Sequence, residues 1–202
     1  MKPHLIGIAG PSCSGKGELA AWLQGPLDAS ILDLDDYYRD QPHVPPEVRR
    51  LMNYDVPDAL DCELLFDHLK RVAGGEPIER PRYDFTLHTR AGGTVTFVPG
   101  PYVIVDGLFA LYWPEIRDLM STRIFIDAPD EECLRRRIAR DTLLRGRQEQ
   151  DVIRQFEQQV RPAAIQHVRP TARFADLKLD GCVAWEKNGP LVLERLLTTD
   201  RG

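Results

Sequence analysis

Residues Ile8 to Leu19 read "IAGPSCSGKGEL". Within this stretch Gly10 to Lys16 fits the spacing G-x-x-x-x-G-K, after a short apolar run from His4 to Ala9 and before a helical pattern over about 15–24. A glycine-rich turn between a strand and a helix can wrap an anion, because its backbone N–H groups turn inward and the helix N-terminus adds partial positive charge. The loop Gly10, Pro11, Ser12, Cys13, Ser14 and Gly15 is therefore a candidate cradle for a triphosphate such as ATP, with Lys16 as a mobile cation on the β- and γ-phosphates. The next position breaks the pattern. Gly17 stands where a Ser or Thr hydroxyl ordinarily ligates Mg²⁺. Mg²⁺ retains several waters and draws ligands from substrate phosphates, so losing one neutral ligand weakens the metal site without abolishing it.

Outward from the loop, strand patterns alternate with helical ones. Strands are predicted over 30–34, 102–105, 123–128 and 176–179. Helices are predicted from Asp58 as N-cap to the Gly74–Gly75 stop, from about Asp130, over 151–164 and over 190–197. Residues 78–85 and 94–98 form a predicted β-hairpin, placed within an insertion over about 77–99. Such alternation implies right-handed βαβ units and a parallel sheet flanked by helices, an α/β fold of the P-loop NTPase type. Ligands in these sheets collect at the carboxyl ends of the strands. The phosphate loop, the acidic "DLDD" ending at Asp36, and Asp106 after "YVIV" all fall on that edge. Asp106 is the candidate Mg²⁺ carboxylate. Asp33, Asp35 and Asp36 are each candidates to orient a hydroxyl acceptor and take its proton, and spacing does not choose among them.

Bulk properties narrow the class. The 202 residues are enough for one well-cored domain, here taken as residues 1–202. A composition of 43% hydrophobic and 28% charged residues is that of a globular protein. A net charge of -5 argues against a nucleic-acid polymer as partner. No apolar run approaches the roughly 20 residues of a membrane span, and the N-terminus carries no secretory signature. Cys13, Cys62, Cys133 and Cys182 form no CxxC pair, so a reducing, cytoplasmic setting is expected.

The segments "DDYYRD", "NYDVPDALD", "YDFTLHTR", "VDGLFALY" and "RIARDTLLRGRQ" follow one another in the order seen in the uridine kinases. Over most of its length the chain resembles this branch of the phosphoribulokinase/uridine kinase group. The resemblance implies ATP-dependent phosphorylation of the 5′-hydroxyl of uridine or cytidine, with Mg²⁺ as cofactor. It puts the catalytic base at Asp35 and a substrate-facing tyrosine at Tyr38. Tyr54 and Asp55 match nucleoside-contacting positions, with Asp55 on the ribose hydroxyls. Tyr83 and His88 match the residues that stack on and hydrogen-bond the pyrimidine. Arg140 and Arg145 would join Lys16 in catalysis, Arg147 would hold ATP, and Arg137 and Gln155 would face the nucleoside, within a lid over about 137–150. Resembling enzymes are often homotetramers. Two departures fall on the metal site: Gly17, and Asp106 where many of these enzymes have Glu, a side chain longer by about 1.5 Å. Two rival readings stand beside this one: a kinase of another small hydroxyl compound such as a sugar phosphate or pantothenate, and a non-catalytic nucleotide-binding module that has lost its metal site.

Overall fold

A computed structural model describes residues 2–199. Strand β1 (His4–Ala9) leads through the phosphate loop into helix α1 (Lys16–Leu27). Strand β2 (Ala29–Asp33) is followed by a 3₁₀ turn (Leu34–Tyr37), the short helix α2 (Pro46–Arg49), a second 3₁₀ turn (Pro57–Ala59) and α3 (Cys62–Ala73). The antiparallel pair β3 (Ile78–Asp84) and β4 (Thr89–Phe97) comes next, then β5 (Tyr102–Asp106), the short α4 (Pro114–Arg117) and β6 (Thr122–Asp127). Helix α5 (Asp130–Arg145) precedes α6 (Glu149–Gln155), which continues through a π turn into α7 (Arg161–Ala163). Strand β7 (Leu177–Asp180) and helix α8 (Trp185–Thr199) complete the described chain.

The main sheet is wholly parallel, in the order β2-β5-β1-β6-β7. Side chains alternate across a strand, and here the alternation divides the core in two. Leu5, Val103, Val105 and Phe125 face the layer that holds Leu65, Leu69 and Val72 of α3. Ile6, Ile8, Ile104, Ile124 and Ile126 face Leu19 and Leu23 of α1 and Val192 and Leu196 of α8. Strands covered on both faces are continuous apolar runs, as in Val103–Val105. The register pairs Asp33 with Asp106 at the carboxyl edge, so the ends of β2 and β5 deliver two carboxylates side by side. Among the described residues no helix is long and apolar enough to cross a membrane.

Four boundaries differ from the sequence reading. The N-cap of α3 is Asp61, whose carboxylate accepts from Leu64 N at 3.3 Å, because Pro57 draws Asp58 into a 3₁₀ turn. Strand β4 begins at Thr89, so most of "HTRAGG" is strand and the turn is residues 85–88. Helix α1 runs through Pro26 to bury Leu27. Helix α8 starts at Trp185 and holds Pro190 inside it. An internal proline costs a helix about 3 kcal/mol. Tertiary packing offsets this: the Trp22 ring lies against Gly189, and the Trp185 ring lies over Gly15.

Candidate active site

The carboxyl edge of the sheet opens into a cleft of 720 Å³. Its floor is the phosphate loop. Gly15 has φ 107, a conformation that a side chain resists, and a Cβ there would stand 2.7 Å from the Trp185 ring. Lys16 Nζ donates to Pro11 O at 3.0 Å, curled back along the loop. Ser12, Cys13, Gly15, Lys16 and Gly17 line the cleft, while Gly10, Pro11 and Ser14 form the loop behind that surface. Gly17 lies in the first turn of α1, and a Cβ on it would meet Asp106 Oδ2 at 3.5 Å, an ordinary contact.

Above the floor stand the carboxylates. The 3₁₀ turn carrying Asp35 is held from every side. Asp33 caps it by accepting from Asp35 N at 2.9 Å. Tyr37 Oη and His68 Nδ1 share a 2.9 Å hydrogen bond beneath it. Asp36 pairs with Arg80 of β3, and Arg90 of β4 donates to Tyr38 O at 3.1 Å and to Asp61 Oδ2 at 3.1 Å. Burial raises the pKa of Asp35, while Lys16, Arg145 and Arg140, with the Tyr38 hydroxyl, pull it back. Asp33 is also raised, by desolvation in the cleft and then by the charge of Asp35, while the hydrogen bond from Asp35 N lowers it. Burial pushes Asp106 up to about 6 against the pull of Lys16.

Asp106 Oδ1 is buried and has no hydrogen-bond partner among the described residues, an acceptor suited to a cation. Among the described residues no group of three or more His, Cys, Asp or Glu is arranged to hold a metal. A metal here would rest on one or two carboxylates and a substrate's phosphates, the manner in which Mg²⁺ is usually held. Asp106 with Asp35 beside it, facing Lys16, fits that description.

One wall is aromatic. The Tyr54 and His88 rings stack at 5.0 Å and 17°. Tyr38 lies 5.4 Å from Tyr54 and 5.0 Å from Tyr83, and Tyr83 contacts Phe85 edge-on. Burial and the neighbouring Arg145 and Arg147 lower the pKa of His88, favouring a neutral ring able both to donate and to accept. Asp55, raised by burial, faces Arg137 at 3.8 Å. The opposite wall is α5, Arg147 just beyond it and Gln155 at the end of α6. Arg137 donates to Ser12 Oγ at 2.9 Å, and Arg147 to Gln155 Oε1 at 2.5 Å.

The cleft thus gathers Asp35, Lys16, Tyr38, Tyr54, Asp55, Tyr83, His88, Asp106, Arg137, Arg140, Arg145, Arg147 and Gln155. Three participants escaped the sequence reading. Phe85 lies inside the quoted "YDFTLHTR" but was given no role in the pocket, whereas Asp33, one of the three candidate acids of "DLDD", does line it. Arg136 donates to Gly181 O at 2.9 Å and to Cys13 O at 3.4 Å, tying α5 to the loop. Asp141 is completely buried amid the arginines.

The model of the phosphoribulokinase / uridine kinase family matches residues 5–183. The chain belongs to this family. Members similar to it include a uridine kinase of Vibrio parahaemolyticus, 41% identical over 86% of this chain and 84% of that protein. Another, of Deinococcus deserti, is 42% identical over 88% of this chain and 87% of its own length. The phosphoribulokinase of Rhodobacter spheroides superposes with a TM-score of 0.63 over 89% of this chain and 70% of that one. At 14% identity this last likeness speaks for the fold of the family alone.

Proposed function

We propose that this family member is a nucleoside kinase, transferring the γ-phosphoryl group of ATP to the 5′-hydroxyl of uridine or cytidine. The observation that carries the reading is the sharing of one cleft by the phosphate loop with Lys16, the carboxylate of Asp35, and an aromatic wall of Tyr38, Tyr54, Tyr83 and His88. A triphosphate and a flat base with a sugar between them fit these three surfaces. The relatives named uridine kinase, spanning most of the chain, support the same acceptor.

In this reading the loop amides and Lys16 hold the β- and γ-phosphates. Asp55 accepts from the ribose hydroxyls, and the aromatic wall packs on the pyrimidine while His88 reads its edge. Asp35 accepts the proton of the 5′-hydroxyl as that oxygen attacks the γ-phosphorus, and the bond to the β,γ-bridging oxygen breaks to release ADP. The raised pKa of Asp35 suits a proton acceptor better than an ordinary carboxylate does. Arg140 and Arg145 face the transferring oxygens. Asp106 and Asp35 would hold Mg²⁺, which supplies charge neutralisation on the phosphates.

The test is a panel of hydroxyl acceptors with labelled ATP: uridine, cytidine, purine nucleosides, sugar phosphates and pantothenate. Uridine or cytidine should give labelled nucleoside monophosphate. Label on another acceptor alone would replace this assignment, and tight ATP binding with no product from any acceptor would favour a binding module. Asp35→Asn should keep nucleoside affinity and lower turnover by about 10²–10⁴-fold. Near-normal turnover would exclude Asp35 as the base.

A further inference from the structure

The four arginines of the lid wall converge on one side chain. Asp141 of α5 is 0% exposed, and its carboxylate lies 2.8 Å from Arg140 Nε, 3.6 Å from Arg137 Nε, 3.7 Å from Arg145 Nη1 and 3.7 Å from Arg147 Nη1. Helix geometry explains the convergence. Arg137 and Arg145 stand four residues to either side of Asp141, on its own face. Gly146, at φ 62, ends the helix and turns the chain back, so that Arg147 N donates to Asp141 O at 3.1 Å and its guanidinium returns to the same carboxylate.

These tethers are loose. Among the described residues only Arg140 makes a hydrogen bond to the carboxylate; Oδ2 has no hydrogen-bond partner there and neither has Arg137 Nε. Arg140, Arg145 and Arg147 are each about one-third exposed, towards the cleft. Four like charges this close repel one another: the pKa of Arg145 is lowered first by burial and then by Arg140 and Arg137, against the pull of Asp141. A single buried anion gathers them without satisfying them. Apart from Arg140, each guanidinium can then turn to phosphate oxygens without giving up a hydrogen bond to Asp141.

We infer that Asp141 is a positioning residue for phosphoryl transfer: its buried carboxylate collects Arg137, Arg140, Arg145 and Arg147 at the spacing a triphosphate requires. It touches no substrate and acts through the arginines. The inference rests on the kinase reading above, and the two fail differently: an unaltered chain with no product refutes the kinase, whereas an active chain indifferent to residue 141 refutes only the positioning role.

The experiment compares the unaltered chain, Asp141→Asn and Asp141→Glu, with kcat and both KM values measured below the melting point of each and normalised to the folded fraction. Asparagine keeps the shape and removes the charge. With the arginines splayed, kcat should fall about 100-fold, while the nucleoside KM, which feels only Arg137 beside Asp55 and Arg147 on Gln155, rises by less than about tenfold, since a displacement near 1 Å costs a reaction about 100-fold. Glutamate restores the charge one methylene away and should bring kcat to within about three- to tenfold of the unaltered chain. A folded Asn variant with kcat within threefold of the unaltered chain, or a loss confined to Tm, overturns the inference. If the Asn variant does not fold, the Glu variant decides: a three- to tenfold fall in kcat supports positioning, and a kcat equal to that of the unaltered chain overturns it.

Discussion

Gly17 and Asp106 set the character of the metal site together. Glycine in the first turn of α1 leaves an open surface beside Asp106, and a Cβ would fit at 3.5 Å from Oδ2 without displacing anything. Gly17→Ser should therefore add a hydroxyl where the carboxylate can share a cation with it. A helical glycine is also less favourable than serine by roughly 0.5 kcal/mol. We expect this variant to melt slightly higher and to need less Mg²⁺ for half-maximal rate; an unchanged Mg²⁺ titration would show the hydroxyl to be irrelevant here. Asp106 makes a second prediction. Its pKa, about 6 against an ordinary 3.8, marks an ionised form that the ligand-free fold disfavours through burial. A raised value contributes stability that is complete below about 4 and lost as the pH rises through 6. Asp106→Asn should thus be more stable than the unaltered chain at pH 7.5, by at most about 3 kcal/mol for a shift near two units, and the difference should vanish near pH 4. The same variant should demand more Mg²⁺. Denaturant melts in which it is the less stable chain at pH 7.5 would contradict this account of Asp106.

At the scale of elements, the hairpin and the catalytic turn behave as one piece. Asp36–Arg80 and Arg90 to Tyr38 O cross between them, and Thr89 to Asp40 and Arg90–Asp61 tie the hairpin to the segment that follows the turn and to the N-cap of α3. The base-facing Tyr83 and His88 are thereby referenced to Asp35 rather than to the sheet alone. Arg90→Ala removes two of these ties, and we expect the nucleoside KM to rise about tenfold, equivalent to 1.4 kcal/mol, with the ATP KM unchanged. Equal rises in both would mean the hairpin supports the whole cleft. The strands and the loop were legible in the sequence because buried parallel strands leave unbroken apolar runs and a phosphate loop constrains its glycines. Helix starts were less so. Asp58 and Pro190 each satisfy a local rule; Asp58 lost to its neighbours Pro57 and Asp61, and Pro190 to packing set by distant residues, Trp22 against Gly189 and Gly15 under Trp185. The same limit hid Asp141. Its four partners read as a basic helix until Gly146 folds Arg147 back onto it, and nothing local in "RIARDTLLRGR" states that the acid points inward.

Across the described residues the cleft has two walls built from distant segments; Arg137 meets Asp55 between them, and a further contact joins them at the rim. The Arg145 guanidinium lies 5.0 Å over the Phe85 ring, lid against hairpin. A cation–π contact of this kind contributes about 0.5–1 kcal/mol where it is partly exposed. Its position gives it a use beyond stability. A kinase that holds ATP must keep water from taking the place of the acceptor, and wall-to-wall closure is the available means. Phe85 touches the aromatic neighbour Tyr83 but is remote from the phosphate loop in sequence and in the wall it belongs to. Phe85→Ala should then loosen closure without disarming the arginines. The quantity to measure is free phosphate released per nucleoside monophosphate formed. A loss near 0.7 kcal/mol corresponds to about a threefold rise in that ratio. If phosphate release and transfer instead fall together, the contact serves to place Arg145 on the reacting phosphate, and exclusion of water must come from elsewhere in the cleft.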